Sequence, residues 1–212
     1  MEDVAVTLTD YALTVECGVL AALIALWRPR QPLWTWFILL FVSLSVATLV
    51  GGTAHGFASR LGDGGQANLL AVTRFCIGAT SLATWSIGAH VLFRAPVARW
   101  VVRGAVAQFV AYSFVTLVVT PAFWVSLVEY LPATVFLLVA CARACWRSRE
   151  PRIYPILAGL LLTFAAAYVE VRKIGLHPTY FNSSALYHLI QAVALVLIFL
   201  AVRHLPAVSR ST

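Results

Sequence analysis

The chain is built of long apolar runs separated by short polar connections. Seven runs are long enough to cross about 30 Å of hydrocarbon at about 1.5 Å per helical residue. They cover roughly residues 8–27, 33–54, 68–93, 98–119, 122–145, 153–172 and 184–203. Backbone groups cannot stay unpaired in lipid, so each run predicts a helix. The runs lack the alternating ten-residue pattern of an outer-membrane barrel, and no internal repeat is visible. The expected fold is all-α: a single polytopic domain over residues 1–212, folded as a seven-transmembrane-helix bundle.

Composition supports the same class. The sequence is 61% hydrophobic and 11% charged, whereas soluble domains carry about 25% charged residues. That leaves too little polar surface to cover a water-soluble globule, and the chain reads as an integral, multi-pass protein of the cell (inner) membrane. The net charge of +7 does not indicate a nucleic-acid partner, because the basic residues sit between apolar runs. The implied partner is the lipid bilayer. Arg28 and Arg30, then Arg94, Arg99 and Arg103, then Arg143, Arg147, Arg149 and Arg152, then Arg203 and Arg210 flank alternate connections. Arginine marks the cytoplasmic side, so the N-terminus is expected outside and the C-terminus in the cytoplasm. Arg172 and Lys173 are the discordant pair. The acidic start, MEDVAVTLTD, lacks the basic region of a signal peptide, so the first span is expected to be retained. Cys17, Cys76, Cys141 and Cys145 lie in apolar runs without a CxxC pair and read as small hydrophobes.

Ionisable groups are costly within a bilayer and usually face the bundle interior. Counted from the ends of the runs, Glu16, Arg74, Glu129, Glu170, His55 and His188 all fall toward the outer side. Glu16, Arg74 and Glu129 read either as a structural ion network or as the wall of an outward-opening cavity. In the second case Arg74 holds an anionic head group through its planar fork of donors. His55 sits among Gly51, Gly52 and Gly56 at the end of the second run, where small residues let backbones approach closely. The wettest stretch is HPTYFNSSALYHLIQ, from His177 to Gln191. Ser183 or Ser184 can cap the last helix. Ser184, Tyr187, His188 and Gln191 share one face by their spacing. Pro178 and Asn182 keep the preceding segment irregular, which lets His177 fold back toward His188.

His55 and His188 can supply two imidazoles to a divalent metal. Catalytic zinc usually takes three protein ligands and a water, and His177, Glu170 and Glu129 are all candidates for the third. Zinc lowers the pKa of its water to near neutrality, and Glu170 is placed to relay the proton.

With these residues the pattern resembles the superfamily that joins alkaline ceramidases to adiponectin-receptor-like proteins. The resemblance implies a seven-helix membrane hydrolase with zinc held by a histidine on the second helix and an HxxxH pair on the seventh. His55 matches the first of these and His188 the last, and Glu170 matches an acidic residue late in the sixth helix. Ser184 stands where the pair's first histidine is expected, and Gly51 where a serine is expected. Asn68 and Arg74 occupy the region of an expected acidic residue. The GGTAHG and HPTYFN stretches also look like a family of uncharacterised membrane proteins.

The leading expectation is therefore a metal-dependent hydrolase of a lipid amide or ester at the outer face, with Glu170 and Ser184 catalytic. The alternative is a non-enzymatic binding or sensing protein. Its pocket, for a lipid head group or small solute, would use Arg74, Glu129, Glu16, Asn182, Tyr187 and Gln191. Transport would need a polar path through the inner half, and a retinal protein would need a lysine within a helix. The sequence offers neither.

Overall fold

The structure is a computed structural model that describes residues 4–27, 32–177 and 181–205. Arg28, Arg30, Pro178 and Arg210, which entered the reading above, lie outside the described residues. The elements are α1 (Val4–Leu26), α2 (Pro32–Gly56), α3 (Ala58–Leu92), α4 (Ala95–Phe114), α5 (Phe123–Ser148), α6 (Tyr154–Val171) and α7 (Ser183–Val202). A π-helical turn, Val115–Val119, extends α4, and a 3-10 turn, Pro151–Ile153, leads into α6. All seven helices are long and apolar enough to cross a membrane. Among the described residues the only strand-like pairing is one bridge between His177 and Phe181.

Two boundaries differ from the sequence reading, and both differences matter. The apolar run at 8 begins a turn too late, because Val4–Thr7 already belong to α1. The connection expected before residue 68 is itself helical from Ala58, interrupted at Gly62 (φ 63°, ψ 171°). That backbone conformation is open essentially only to glycine. Polarity marks where a helix leaves the apolar band, whereas its end depends on a breaker, and Gly62 only kinks this one.

Neighbours in sequence pack in pairs: α1 on α2, α2 on α3, and α6 on α7. Helix α3 also packs on α5, α5 meets α6 thinly, and α7 returns to α1. Six helices thus close a ring, and α4 stands outside it against α3. The ring is filled by residues such as Cys17, Phe37, Phe41, Ile87, Leu137 and Ile156. Large apolar side chains also point outward on every side, among them Val15, Val110, Val128, Leu161 and Val193. An exterior this apolar is matched by lipid rather than by water. Together with the seven long helices, it marks an integral membrane protein.

The α1–α2 contact is the closest seam near the polar end. A Cβ on Gly52 would lie 2.7 Å from Asp10 Cβ, and one on Gly56 would lie 2.7 Å from Thr7 Cγ2. These two glycines, four residues apart, let α1 press directly on the α2 backbone. Hydroxyls stitch the seam below: Tyr11 and Thr53 meet at 3.1 Å, Thr14 and Thr48 at 2.9 Å, and Ser45 donates to the Thr14 carbonyl at 2.8 Å. At the opposite end, Arg203 lies 3.6 Å over the Trp27 ring, and Trp27 packs on Phe199, so α7 is also tied to the end of α1.

Gly52→Val should therefore separate α1 from α2. The expected loss is about 1–3 kcal/mol, the usual range for overpacking a filled interface. Thermal unfolding in detergent measures it. An unchanged melting temperature would show that the seam is looser than described.

Candidate functional site

The polar end of the bundle is organised by His188, in the second turn of α7. Its Nδ1 lies 2.9 Å from Thr9 Oγ1, and its Nε2 lies 3.3 Å from Asp10 Oδ1. Both partners come from α1, where they are neighbours in sequence. Thr9 has one hydroxyl proton, and its oxygen lies 2.9 Å and 3.0 Å from the Ala5 and Val6 carbonyls, the common bond of threonine in a helix. With that proton spent, the Thr9 oxygen accepts from Nδ1–H. The hydrogen bond at one ring nitrogen sets the role of the other. Nε2 of the neutral ring is then a lone pair facing the Asp10 carboxyl group.

Asp10 is only 5% exposed, so its charge is not dissolved in water. The separation of 3.3 Å is long for a charge-assisted hydrogen bond, normally about 2.7–2.9 Å. It equals the edge of a tetrahedron of donors, about 3.3 Å for bonds of 2.0–2.1 Å to a central zinc. An oxygen and an imidazole nitrogen are also the donor types such an ion takes. Asp10 and His188 could therefore serve as two ligands of such an ion, with Thr9 as the partner that orients the imidazole. Among the described residues, no three His, Cys, Asp or Glu side chains converge as a complete site would require. His55, in the last turn of α2, is exposed and within electrostatic range of His188.

Glu170 ends α6 beside this pair, within electrostatic range of His188. Ser184 donates to Glu170 Oε2 at 3.1 Å, and Lys173 pairs with Glu170 Oε1. The expected proximity of Glu170, Ser184 and His188 is thus present, with Ser184 serving the carboxylate. Tyr187 packs edge-on against the His188 ring, with centroids 5.2 Å apart. Asn182 is the cap of α7, in place of Ser183 or Ser184: its carboxamide oxygen accepts from the Ala185 N–H at 2.9 Å. His177 is exposed, and its main chain pairs with Phe181, which closes the loop before α7. Gln191 lies a turn deeper than His188 and faces the bundle centre.

The three remaining residues do not join this site. Glu129 is buried on α5, where its Oε2 accepts from Gln108 Nε2 of α4 at 2.9 Å. Arg74, on α3, accepts at its main-chain carbonyl from the Tyr112 hydroxyl at 3.1 Å, and that hydroxyl lies 2.7 Å from Ser126 Oγ. No ion pair links Arg74, Glu129 and Glu16 among the described residues. Glu16 is the thirteenth residue of the 23-residue α1, at mid-helix rather than near an end, because α1 starts at Val4. Its Oε1 and the Nε of Arg74 are buried without a hydrogen-bond partner.

The sequence reading missed Asp10 and Thr9, because it left Asp10 in an acidic flank. A signal was present. Thr7, Asp10 and Thr14 repeat at i, i+3 and i+7, the same kind of polar stripe that singled out the last helix.

Truncating one of two buried polar groups that face each other leaves the other unsatisfied, typically at about 1–3 kcal/mol. His188→Ala should destabilise the fold strongly, and adding Asp10→Asn should recover part of the loss. The test is a double-mutant cycle of unfolding in detergent, with a coupling of about 1 kcal/mol or more expected. Strict additivity would show that the two residues do not interact.

Residues 5–207 match a family of unknown function (DUF6962). No curated protein and no solved structure matches the chain. The matched region includes all seven helices apart from Val4, and the chain belongs to this family.

Proposed function

We propose that the protein is a divalent-cation-dependent membrane hydrolase that cleaves a lipid amide or ester at the outer membrane face. The observation that carries this reading is the Thr9–His188–Asp10 arrangement, in which an oriented imidazole lone pair and a carboxylate oxygen lie 3.3 Å apart. Asp10 and His188 would hold the cation, and rotation of the exposed His55 would add a third donor. When bound, zinc supplies a hydroxide near neutral pH. Thr9 keeps the His188 tautomer that leaves Nε2 free. Glu170, held by Ser184 and Lys173, would take and return a proton at its Oε2.

The orientation belongs to the same proposal. Arg94, Arg99, Arg103, Arg143, Arg147, Arg149, Arg152 and Arg203 gather at the end away from His188, so that end faces the cytoplasm and the site faces outward. The membrane is the cell (inner) membrane. The resemblance to the ceramidase and adiponectin-receptor-like superfamily supports a site between the second, sixth and seventh helices. Asp10 adds the first helix to it.

Elemental analysis of the purified protein, with lipid amides and esters supplied in vesicles, tests the reading. The wild type should carry about one zinc or similar ion and release fatty acid. Asp10→Ala and His188→Ala should lose both by at least tenfold. A metal-free wild type with no turnover sinks the proposal.

One observation favours a second reading, a pocket for an anionic lipid head group without catalysis. Arg74 Nε is buried without a partner, at the same end of the bundle. On that reading a phospholipid copurifies with the wild type and is lost from Arg74→Ala, whereas His188→Ala retains it.

A further inference from the structure

The centre of the bundle holds a feature that neither reading uses. A cavity lies between α2, α3, α5, α6 and α7, lined by leucines and by Thr84, Tyr130, Thr134, Thr163 and Gln191. Gln191, Thr134 and Thr163 are the ninth residue of 20, the twelfth of 26 and the tenth of 18 in their helices, so the cavity is at mid-membrane depth. Gln191 is 6% exposed, and its Oε1 has no hydrogen-bond partner.

The neighbouring bonds fix which way that amide points. Thr163 donates its hydroxyl proton to the Gly159 carbonyl at 3.1 Å, so its oxygen accepts from Gln191 Nε2 at 3.3 Å. Oε1 is left as an acceptor. Thr84 and Thr134 likewise spend their protons on the Thr80 and Tyr130 carbonyls, at 2.8 Å and 3.0 Å, and keep oxygen lone pairs free. Tyr130 lines the same space, with its hydroxyl hydrogen-bonded to the Thr134 side chain. The cavity encloses about 20 Å³ of space open to the centre of a water molecule. One water needs roughly 10–15 Å³ by that measure, with two to four polar partners.

We propose that this cavity binds one ordered water molecule, which donates to Gln191 Oε1 and to a threonine oxygen of α3 or α5. The size admits one molecule and excludes an acyl chain or head group. An apolar cavity of this size would stay dry, but this one carries an amide oxygen that nothing else satisfies. The water joins α3, α5 and α7 across the ring, on the side where α5 and α6 touch least. It does not depend on the proposed hydrolase activity.

An experimental structure of the wild-type protein in lipid, at about 2 Å or better, tests it directly. Density for one water is expected within hydrogen-bonding distance of Gln191 Oε1. Thr84→Val with Thr134→Val, near-isosteric changes that keep the helices, should remove that density and lower the melting temperature by about 2–4 °C, the scale of one lost hydrogen bond in a chain of this length. A dry cavity in the wild type overturns the proposal. So does a double variant that melts at the same or a higher temperature, since apolar groups are better tolerated around an empty space.

Discussion

The fold depends on the requirement that a polar group taken out of water be matched inside the bundle. His188 meets it by reaching from α7 to two consecutive residues of α1, Thr9 and Asp10. That contact closes the ring of six helices at its polar end, and the Arg203–Trp27–Phe199 stack closes it at the other. Between them α1 and α7 need only apolar side chains. The contact requires α1 to sit deep, and α1 sits deep because Gly52 and Gly56 offer no side chains to hold it away. A sequence feature of α2 thus controls a polar pair between α1 and α7.

The polar groups sort into three sets with different energetics. His188, Asp10, Thr9, Glu170 and Ser184 form a linked set at one end, where hydroxyls and Lys173 supply partners. Glu129, Gln108, Tyr112 and Ser126, with the Arg74 carbonyl of α3, form a second, between α3, α4 and α5, and they give the peripheral α4 its polar tie. Hydroxyls and one amide at mid-depth form the third. Pairing of polar side chains across helices in a membrane contributes about 0.6 kcal/mol on average. The second and third sets are therefore better understood as setting which helix faces which than as the main source of stability, which comes from packing.

The helix count, the all-α class and spans long and apolar enough for a membrane were legible because backbone pairing in lipid admits few alternatives and each run is long. The faces were legible too. Ser184, Tyr187, His188 and Gln191 do point inward, as their spacing requires. Glu16, Arg74 and Glu129 were read together because counting from the ends of the apolar runs put them on one side of the bilayer, but such a count does not imply contact. Around the ring, α1 and α5 are not neighbours, and Glu129 instead turns to α4. Asp10 was hidden for a different reason. A hydropathy run begins where apolar residues dominate, whereas the helix begins where its hydrogen bonds begin, at Val4. Only the angular position of Thr7, Asp10 and Thr14 carries that information.

On the proposed reading, Ser184 is where the chain departs most from the expected HxxxH pattern, and its geometry gives the departure a physical meaning. A histidine there would add a third nitrogen donor one turn before His188. The serine instead donates to Glu170 Oε2 and helps hold the carboxylate at the head of α7. On the proposed reading the donor set beside His188 would be made up from the other side, by Asp10 of α1. Replacing a neutral imidazole with a carboxylate lowers the net charge of the set by one. Such a set holds a divalent cation more tightly and stabilises less positive charge on it, so a water bound there would be less acidic than one on three imidazoles. On the proposed reading that lost acidity has to be made good by a proton acceptor close by. Glu170, kept ionic by Lys173 and aimed by Ser184, is the group positioned to do so.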